Sequence, residues 1–164
     1  MRRKLIIALF LTLMSFSAIG REVPISSLPN LGKVPLTTEG EWAKKLTASL
    51  SRILPQKTLE GELLEAGFIP GNEMTFTFRE IGINRTEEQE TIKTLRELER
   101  AERGLVNKLL SDQATQRLCN QRDSWGNLMR TLLVSGIVVR YHMYIGDTAI
   151  GTATITKESR CRIK

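Results

Sequence analysis

The sequence predicts an α+β fold in which an antiparallel sheet, built from two β-hairpins, carries helices on one face. Three observations support this prediction. Apolar residues recur at helical spacing in some segments, they alternate with polar residues in others, and the alternating segments come in pairs joined by short turns. The expected element order is α-β-β-α-α-β-β, with one disulfide. Because the strands occur as hairpins, a parallel α/β sheet is disfavoured.

The first helix is predicted from Glu39 to Leu54. Thr38 and Glu41 have the spacing of a capping box at its start, and Pro55 ends it. The apolar side chains that fall on one face are Trp42, Leu46, Leu50, Ile53 and Leu54. Such a stripe is typical of a helix that packs on a core, and the alternative is a ligand shelf.

The first hairpin is predicted to run from Leu59 to Ile69, turn at Pro70-Gly71-Asn72, and return from Met74 to Ile81. On the returning strand, Met74, Phe76 and Phe78 alternate with threonines and an arginine. This alternation predicts a sheet with one buried face.

The longest helical pattern extends from Glu87 to about Leu110. Thr86 and Gln89 have capping-box spacing at its start, and Gly104 is expected to bend it. The i,i+4 pairs Lys93–Glu97 and Glu99–Arg103 predict a charged face in solvent.

A shorter helix is predicted from Trp125 to Val134, followed by the clearest hairpin of the chain. Its strands run from Ile137 to Ile145 and from Thr148 to Thr156, with Gly146-Asp147 at the turn. The apolar side chains that share one face of the first strand are Ile137, Val139, Tyr141, Met143 and Ile145. The other face carries Arg140, His142 and Tyr144. In the second strand, the small residues Gly151 and Ala153 predict that another element packs closely.

The first twenty residues have the composition of an export signal. Arg2, Arg3 and Lys4 precede an apolar run from Leu5 to Met14, and Ala18 and Gly20 provide small residues for cleavage. An apolar run of about ten residues is too short to cross a bilayer as a helix. The segment therefore predicts a cleaved signal peptide and a periplasmic or secreted protein, with an uncleaved N-terminal anchor as the alternative.

The predicted mature chain divides into an arm and one domain. Residues 21–37 contain three prolines and no sustained periodicity, which predicts an extended N-terminal arm. Residues 38–164 are expected to form a single α+β domain, with no membrane span after cleavage. Removal of Arg2, Arg3 and Lys4 lowers the formal net charge from +6 to +3. The remaining charges are interspersed, so nucleic acid is excluded as a partner.

The two cysteines, Cys119 and Cys161, both lie in the predicted mature part. In an exported protein an even cysteine count favours a disulfide, and two cysteines allow one pairing. A metal site is not expected, because His142 is the only histidine and no cysteine–histidine cluster accompanies it. A catalytic cysteine is disfavoured because the disulfide would consume the thiol.

The predicted mature chain contains no G-x-S-x-G, P-loop, Rossmann glycine or S-x-x-K motif, and we expect no catalytic residue and no cofactor. A serine triad would have to use His142, which is more simply an exposed strand residue. The carboxylates of Glu60, Glu62 and Glu65 could act as a pair only at a suitable separation in a cleft.

From Cys119 onward the chain follows the pattern C-x5-W-x2-L-x3-L-L-x2-G-I-x-V-R-Y-x-M-Y, then a turn, I-G-x-A-x-I-T and a final Cys161. Together with the strand Thr75 to Phe78, this region resembles the quorum-sensing-regulated virulence factor family of small exported proteobacterial proteins. The resemblance covers about Leu59 to Cys161. It implies an exported bacterial α+β domain without assigned chemistry, and no catalytic residue can be transferred.

The leading functional hypothesis is a non-enzymatic binding or protein-interaction module, associated with virulence or the cell envelope, whose partner is a protein or a small ligand. The candidate interaction patch is Arg140, His142 and Tyr144 on the outward strand face. The alternative is a small exported inhibitor of a hydrolase, which would insert the Pro70–Glu73 or the Gly146–Asp147 turn into its target. An enzyme with a cleft at His142 or at the glutamates comes third.

Overall fold

A computed structural model describes residues 21–28, 39–58, 61–69 and 71–163. The predicted signal peptide, residues 29–37 of the predicted arm, the capping residue Thr38, and the side chain of Trp42 lie outside the described part. No helix among the described residues is long and apolar enough to cross a bilayer.

The described chain contains four α-helices, seven β-strands and one turn of 3₁₀ helix at Ile25–Ser27. The helices are α1 (Glu39–Leu50), α2 (Arg85–Ala101), α3 (Leu105–Asn120) and α4 (Ser124–Val134). The strands are β1 (Arg21–Pro24), β2 (Gln56–Thr58), β3 (Gly61–Ile69), β4 (Glu73–Arg79), β5 (Val138–Ile145), β6 (Thr148–Ile155) and β7 (Arg160–Ile163). The predicted α+β class is confirmed.

Both predicted hairpins are present in a five-stranded sheet of order β2-β3-β4-β5-β6. The two hairpins meet through a parallel pair, in which Met74 lies opposite Val139 and Phe78 lies opposite Met143. The sheet is therefore mixed, whereas the sequence predicted a purely antiparallel one. The physical reason is that α2, α3 and α4 carry the chain back to the end at which β4 began, so β5 runs in the same direction as β4.

The N-terminal residues that the sequence predicted as an extended arm contribute a strand instead. β1 pairs antiparallel with β7 in a separate two-stranded sheet, with Val23 opposite Cys161. The next residue after this strand, Ile25, is fully buried, and its amide donates a 2.9 Å hydrogen bond to the carbonyl of Ser159. Residues 21–28 thus belong to the packed structure.

The core lies between the sheet and the helices, as the alternation predicts. Met74, Phe76 and Phe78 of β4 are fully buried, together with Val139 of β5. The ring of Phe76 packs edge-on against Trp125 of α4, with centroids 5.3 Å apart. Burial of one such side chain stabilises the fold by about 1.5–3 kcal/mol.

The predicted helix from Glu87 to Leu110 is two helices. Gly104 has a φ of 82°, which an α-helix cannot accommodate, and it forms the N-cap of α3. The carboxylate of Glu99 accepts hydrogen bonds from the amides of Gly104 and Val106. This carboxylate satisfies amides at the start of α3 that have no partner within the helix.

Two other helix ends differ from the prediction. The capping box of α2 is formed by Asn84 and Glu87, where Thr86 and Gln89 were predicted. α1 ends at Leu50, so that Ile53 falls in a turn and is 56% exposed. Leu50 itself is buried in the core, as the apolar stripe predicts.

The predicted close approach at Gly151 is confirmed. A Cβ atom at this position would lie 2.7 Å from Oδ1 of Asn107 and 2.9 Å from Cδ1 of Leu110, both on α3. Such contacts are too short for a methyl group, so the glycine allows α3 to lie directly against β6.

The predicted disulfide is also confirmed. Cys119 lies in the last turn of α3 and Cys161 in β7, with their Cα atoms 5.7 Å apart. Both cysteines are buried. The bond therefore links the small sheet to the helix that packs on β6.

Candidate functional site

The three residues of the predicted patch lie on the sheet face opposite the core, where strand register surrounds them with polar neighbours. On one side of β5, Arg140 is aligned with Thr75 and His142 with Thr77. On the other side, the same two residues are aligned with Thr154 and Thr152 of β6. We call this surface the polar face; its members are Glu62, Glu65, Glu73, Thr75, Thr77, Arg79, Arg140, His142, Tyr144, Thr152 and Thr154.

Arg140 is held in place by an ion pair. Its Nε lies 2.7 Å from Oε2 of Glu73, and its Nη1 lies 3.5 Å from the hydroxyl of Thr154. The side chains of Arg140 and Glu73 are 40% and 23% exposed. Solvent therefore screens the ion pair, and its contribution to stability is at most about 1 kcal/mol. Since Glu73 compensates the charge of Arg140, this arginine is a weaker candidate for binding an anion than its sequence context indicates.

His142 is positioned by a neighbouring hydroxyl. Its Nδ1 lies 3.1 Å from Oγ1 of Thr152 on β6, and the residue is half-buried. Either atom can donate, because the imidazole has two tautomers. The imidazole therefore lies beside Thr152 and adds to the hydrogen-bonding groups of the polar face.

A groove of about 400 Å³ opens beside the patch, between the chain that follows α1 and the polar face of β3 and β4. Its lining residues are Ser51, Leu54, Leu64, Glu65, Ala66, Gly67, Thr75 and Thr77. Thr75 and Thr77 connect the groove to Arg140 and His142, which lie opposite them on β5. The groove and the predicted patch therefore form one continuous surface.

Two local features of β3 shape this groove. The register with β4 shifts between Leu63 and Glu65, so Leu64 is an extra residue of the kind found at a β-bulge. A Cβ atom on Gly67 would lie 2.8 Å from Oγ1 of Thr75, so the glycine leaves room for that hydroxyl. Sequence reasoning missed the groove because its walls come from three separate segments, and the only local signal was Gly67 within a strand pattern.

The predicted carboxylate cluster is divided by this bulge. Glu62 lies opposite Arg79 on β4 and Lys57 on β2, whereas Glu65 lies opposite Thr77. Glu60 lies outside the described residues. The two described carboxylates thus face different neighbours.

A further titratable group, Glu80, follows β4 directly, and its amide donates a 2.8 Å hydrogen bond to the carbonyl of Tyr144. Burial of the carboxylate raises the pKa of Glu80, and the positive charge of Arg117 on α3 partly opposes this shift. The residue as a whole remains exposed. Glu80 therefore lies at the end of the sheet and outside the polar face.

The two turns proposed for an inhibitor are short. Only two residues, Gly146 and Asp147, separate β5 from β6, and three residues separate β3 from β4. A Cβ atom on Gly146 would lie 3.4 Å from the carboxylate of Glu88 on α2, so this turn packs against a helix. Neither observation favours insertion of a loop into a target.

Comparison with protein-family models, with curated proteins and with solved structures gives no match to this chain. The resemblance of the region from Leu59 to Cys161 to the virulence factor family stays a prediction, and the candidate site depends on geometry alone.

Proposed function

We propose that this protein is an exported bacterial binding module, acting in the periplasm or outside the cell in envelope function or virulence, and that the polar face binds its ligand. The observation that carries the proposal is the groove of about 400 Å³ on a face lined by hydroxyl, imidazole and charged side chains. Ligand sites commonly have volumes of about 300–1,000 Å³ and combine apolar walls with a few polar groups.

The disulfide supports the export part of the proposal. Disulfides persist in oxidising compartments and are rare in the bacterial cytosol. Here the two cysteines are buried and paired, and they link β7 to α3. Localisation outside the cytosol accounts for this disulfide and for the signal-like composition of the first twenty residues.

Export is tested by expression of the full chain in a Gram-negative host, followed by cell fractionation and intact mass measurement without reductant. We expect the protein in the periplasm or the medium. Its mass should correspond to a chain that lacks the first twenty residues and the two thiol hydrogens lost on disulfide formation. A full-length chain in the cytoplasm with two free thiols would overturn the export proposal.

Binding is tested with a photo-crosslinking amino acid placed, in separate variants, at Thr77 and at His142 on the polar face. The matched control is the same amino acid at Glu97, an exposed position on α2. We expect the variants at Thr77 and His142 to form the same covalent adduct with the ligand, and the variant at Glu97 to form none. Equal labelling from all three positions, or labelling from Glu97 alone, contradicts the polar face as the binding surface.

A further inference from the structure

Three carboxylates lie on the polar face, and two of them have basic neighbours. Glu73 forms the ion pair with Arg140. Glu62 is aligned with a basic residue on each side, Lys57 on β2 and Arg79 on β4. Glu65 lies opposite the neutral Thr77, is exposed, and forms no ion pair within the described part of the chain. Glu65 is therefore the carboxylate of the polar face that has no basic residue opposite it in the strand register.

Among the described residues that line the groove, Glu65 is also the one that carries a charge. The two largest apolar side chains of the lining, Leu54 and Leu64, would contact an aliphatic stem, and the hydroxyls of Thr75 and Thr77 can accept hydrogen bonds. Two leucine side chains beside a carboxylate match a side chain that carries a cationic head on a methylene stem.

The backbone beside the groove indicates that such a side chain would come from an extended polypeptide. β2 pairs only with residues 61–63 of β3, so no described strand pairs with Leu64 to Ile69 on that side. A strand edge that has no partner strand can bind an extended peptide through main-chain hydrogen bonds, and alternate side chains of the peptide then point to one face of the sheet. Every second side chain of a segment bound here would lie over the polar face.

We propose that the groove binds a lysine or arginine side chain of an extended polypeptide partner, with the head at Glu65 and the stem against Leu54 and Leu64. The assignment rests on the proposed function, because it specifies what the polar face binds. A neutral glycan could bind the same hydroxyls, but it would provide no positive charge for the carboxylate of Glu65.

The test is NMR titration of the ¹⁵N-labelled exported protein with four peptides that differ at one central residue. Their central residues are lysine, arginine, norleucine and glutamate, within otherwise identical glycine–serine sequences. We expect the lysine and arginine peptides to shift the amide signals of Gly67, Thr75 and Thr77, with binding that weakens as salt is raised. Norleucine keeps the stem without the charge and should bind about threefold to fivefold more weakly, as for an exposed ion pair.

The matched variants are Glu65→Gln and Glu62→Gln. We expect Glu65→Gln to weaken binding of the lysine peptide about threefold to fivefold, and Glu62→Gln to change it less than about twofold. Equal binding of the norleucine peptide, or equal effects of the two variants, would overturn the assignment. If chitotetraose shifts the same signals and the basic peptides do not, the assignment fails while the proposed function stands. Peptide shifts confined to other surfaces contradict both.

Discussion

The amide nitrogen of Thr152 donates a 2.8 Å hydrogen bond to Oδ1 of Asn107, at the edge of β6 where another strand would otherwise pair. One turn further along α3, Ser111 accepts a 2.9 Å hydrogen bond from the amide of Thr154. Gln116 makes similar contacts with the backbone of β7. One helix thus occupies strand edges in both sheets through its side chains, which prevents edge-to-edge pairing with other chains.

The double substitution Asn107→Ala with Ser111→Ala is expected to lower the free energy of unfolding by about 1–3 kcal/mol, because two amides of β6 lose their acceptors. Urea denaturation measures this loss, and sedimentation measures the self-association that an open edge promotes. Asp112→Ala is the control, since Asp112 is exposed on the same helix and directly follows Ser111. A double variant with the stability and the sedimentation behaviour of the wild type would show that α3 does not protect this edge.

Replacement of Cys119 and Cys161 together by alanine is expected to lower the free energy of unfolding by about 4 kcal/mol. The cysteines are 42 residues apart, and the estimate follows from the chain entropy that the closed loop removes from the unfolded state. Chemical denaturation measures the change against the oxidised wild type. Because both cysteines are buried, we also expect the native disulfide to resist dithiothreitol until urea unfolds the protein. Rapid reduction under native conditions would contradict the buried position.

Arg130 of α4 is 2% exposed and closes the end of α3. Its guanidinium donates to the carbonyls of Leu118 and Gln121 over 2.8 and 2.7 Å, and to Asn127. Burial lowers the pKa of this guanidinium, which still stays protonated. Arg130→Lys keeps the charge, but an ammonium group cannot make the same set of hydrogen bonds as the planar guanidinium. We therefore expect the free energy of unfolding, measured by urea denaturation, to fall by about 2–3 kcal/mol. The control is Arg122→Lys, at a neighbouring arginine that is exposed. Equal stability of the two variants would show that the hydrogen bonds of the Arg130 guanidinium contribute nothing.

Asp123 is the N-cap of α4, and its carboxylate accepts a 2.8 Å hydrogen bond from the amide of Gly126. This bond, assisted by the side chain of Gln121, lowers the pKa of Asp123. A lowered folded-state pKa means that the contribution to stability is complete above the unfolded-state pKa, about 3.9. The contribution is lost as the pH falls through the lowered folded-state pKa.

The variant Asp123→Asn separates the cap from its titration. Asparagine also caps helices but carries no charge, so its free energy of unfolding should fall less steeply than that of the wild type below pH 4. Asp123→Ala should lose the cap at every pH. Measurement of urea midpoints across the acid range checks both expectations, and parallel profiles for wild type and Asp123→Asn would contradict the lowered pKa.

Local patterns predicted those elements that depend on neighbours in sequence. The turns at Gly71-Asn72 and Gly146-Asp147 each have positive φ angles, which glycine and asparagine adopt readily, so both hairpins were predictable. Period-two alternation placed Arg140, His142 and Tyr144 on one face of β5. At Gly104 the sequence predicted only a bend. The complete break also depends on the carboxylate of Glu99, which accepts hydrogen bonds from amides several residues further along the chain.

Non-local features were not predictable in the same way. The parallel alignment of β4 with β5 depends on the path of three helices between them. The pairing of β1 with β7 joins residues from the two ends of the described chain, and no local pattern in residues 21–24 indicates a partner. The prolines of that segment indicated an extended arm outside the domain, yet Pro24 ends β1 beside the buried Ile25.

By itself, the sequence determined which side chains share a strand face and which cysteines can pair, because covalent spacing and backbone geometry set these relationships. Tertiary structure decided that the chain after α1 lies beside β3 and β4, which creates the groove, and that Thr77 rather than a basic residue lies opposite Glu65. The physical reason is that such a surface depends on packing between segments that are distant in the chain, where the free energy of the whole core selects one arrangement.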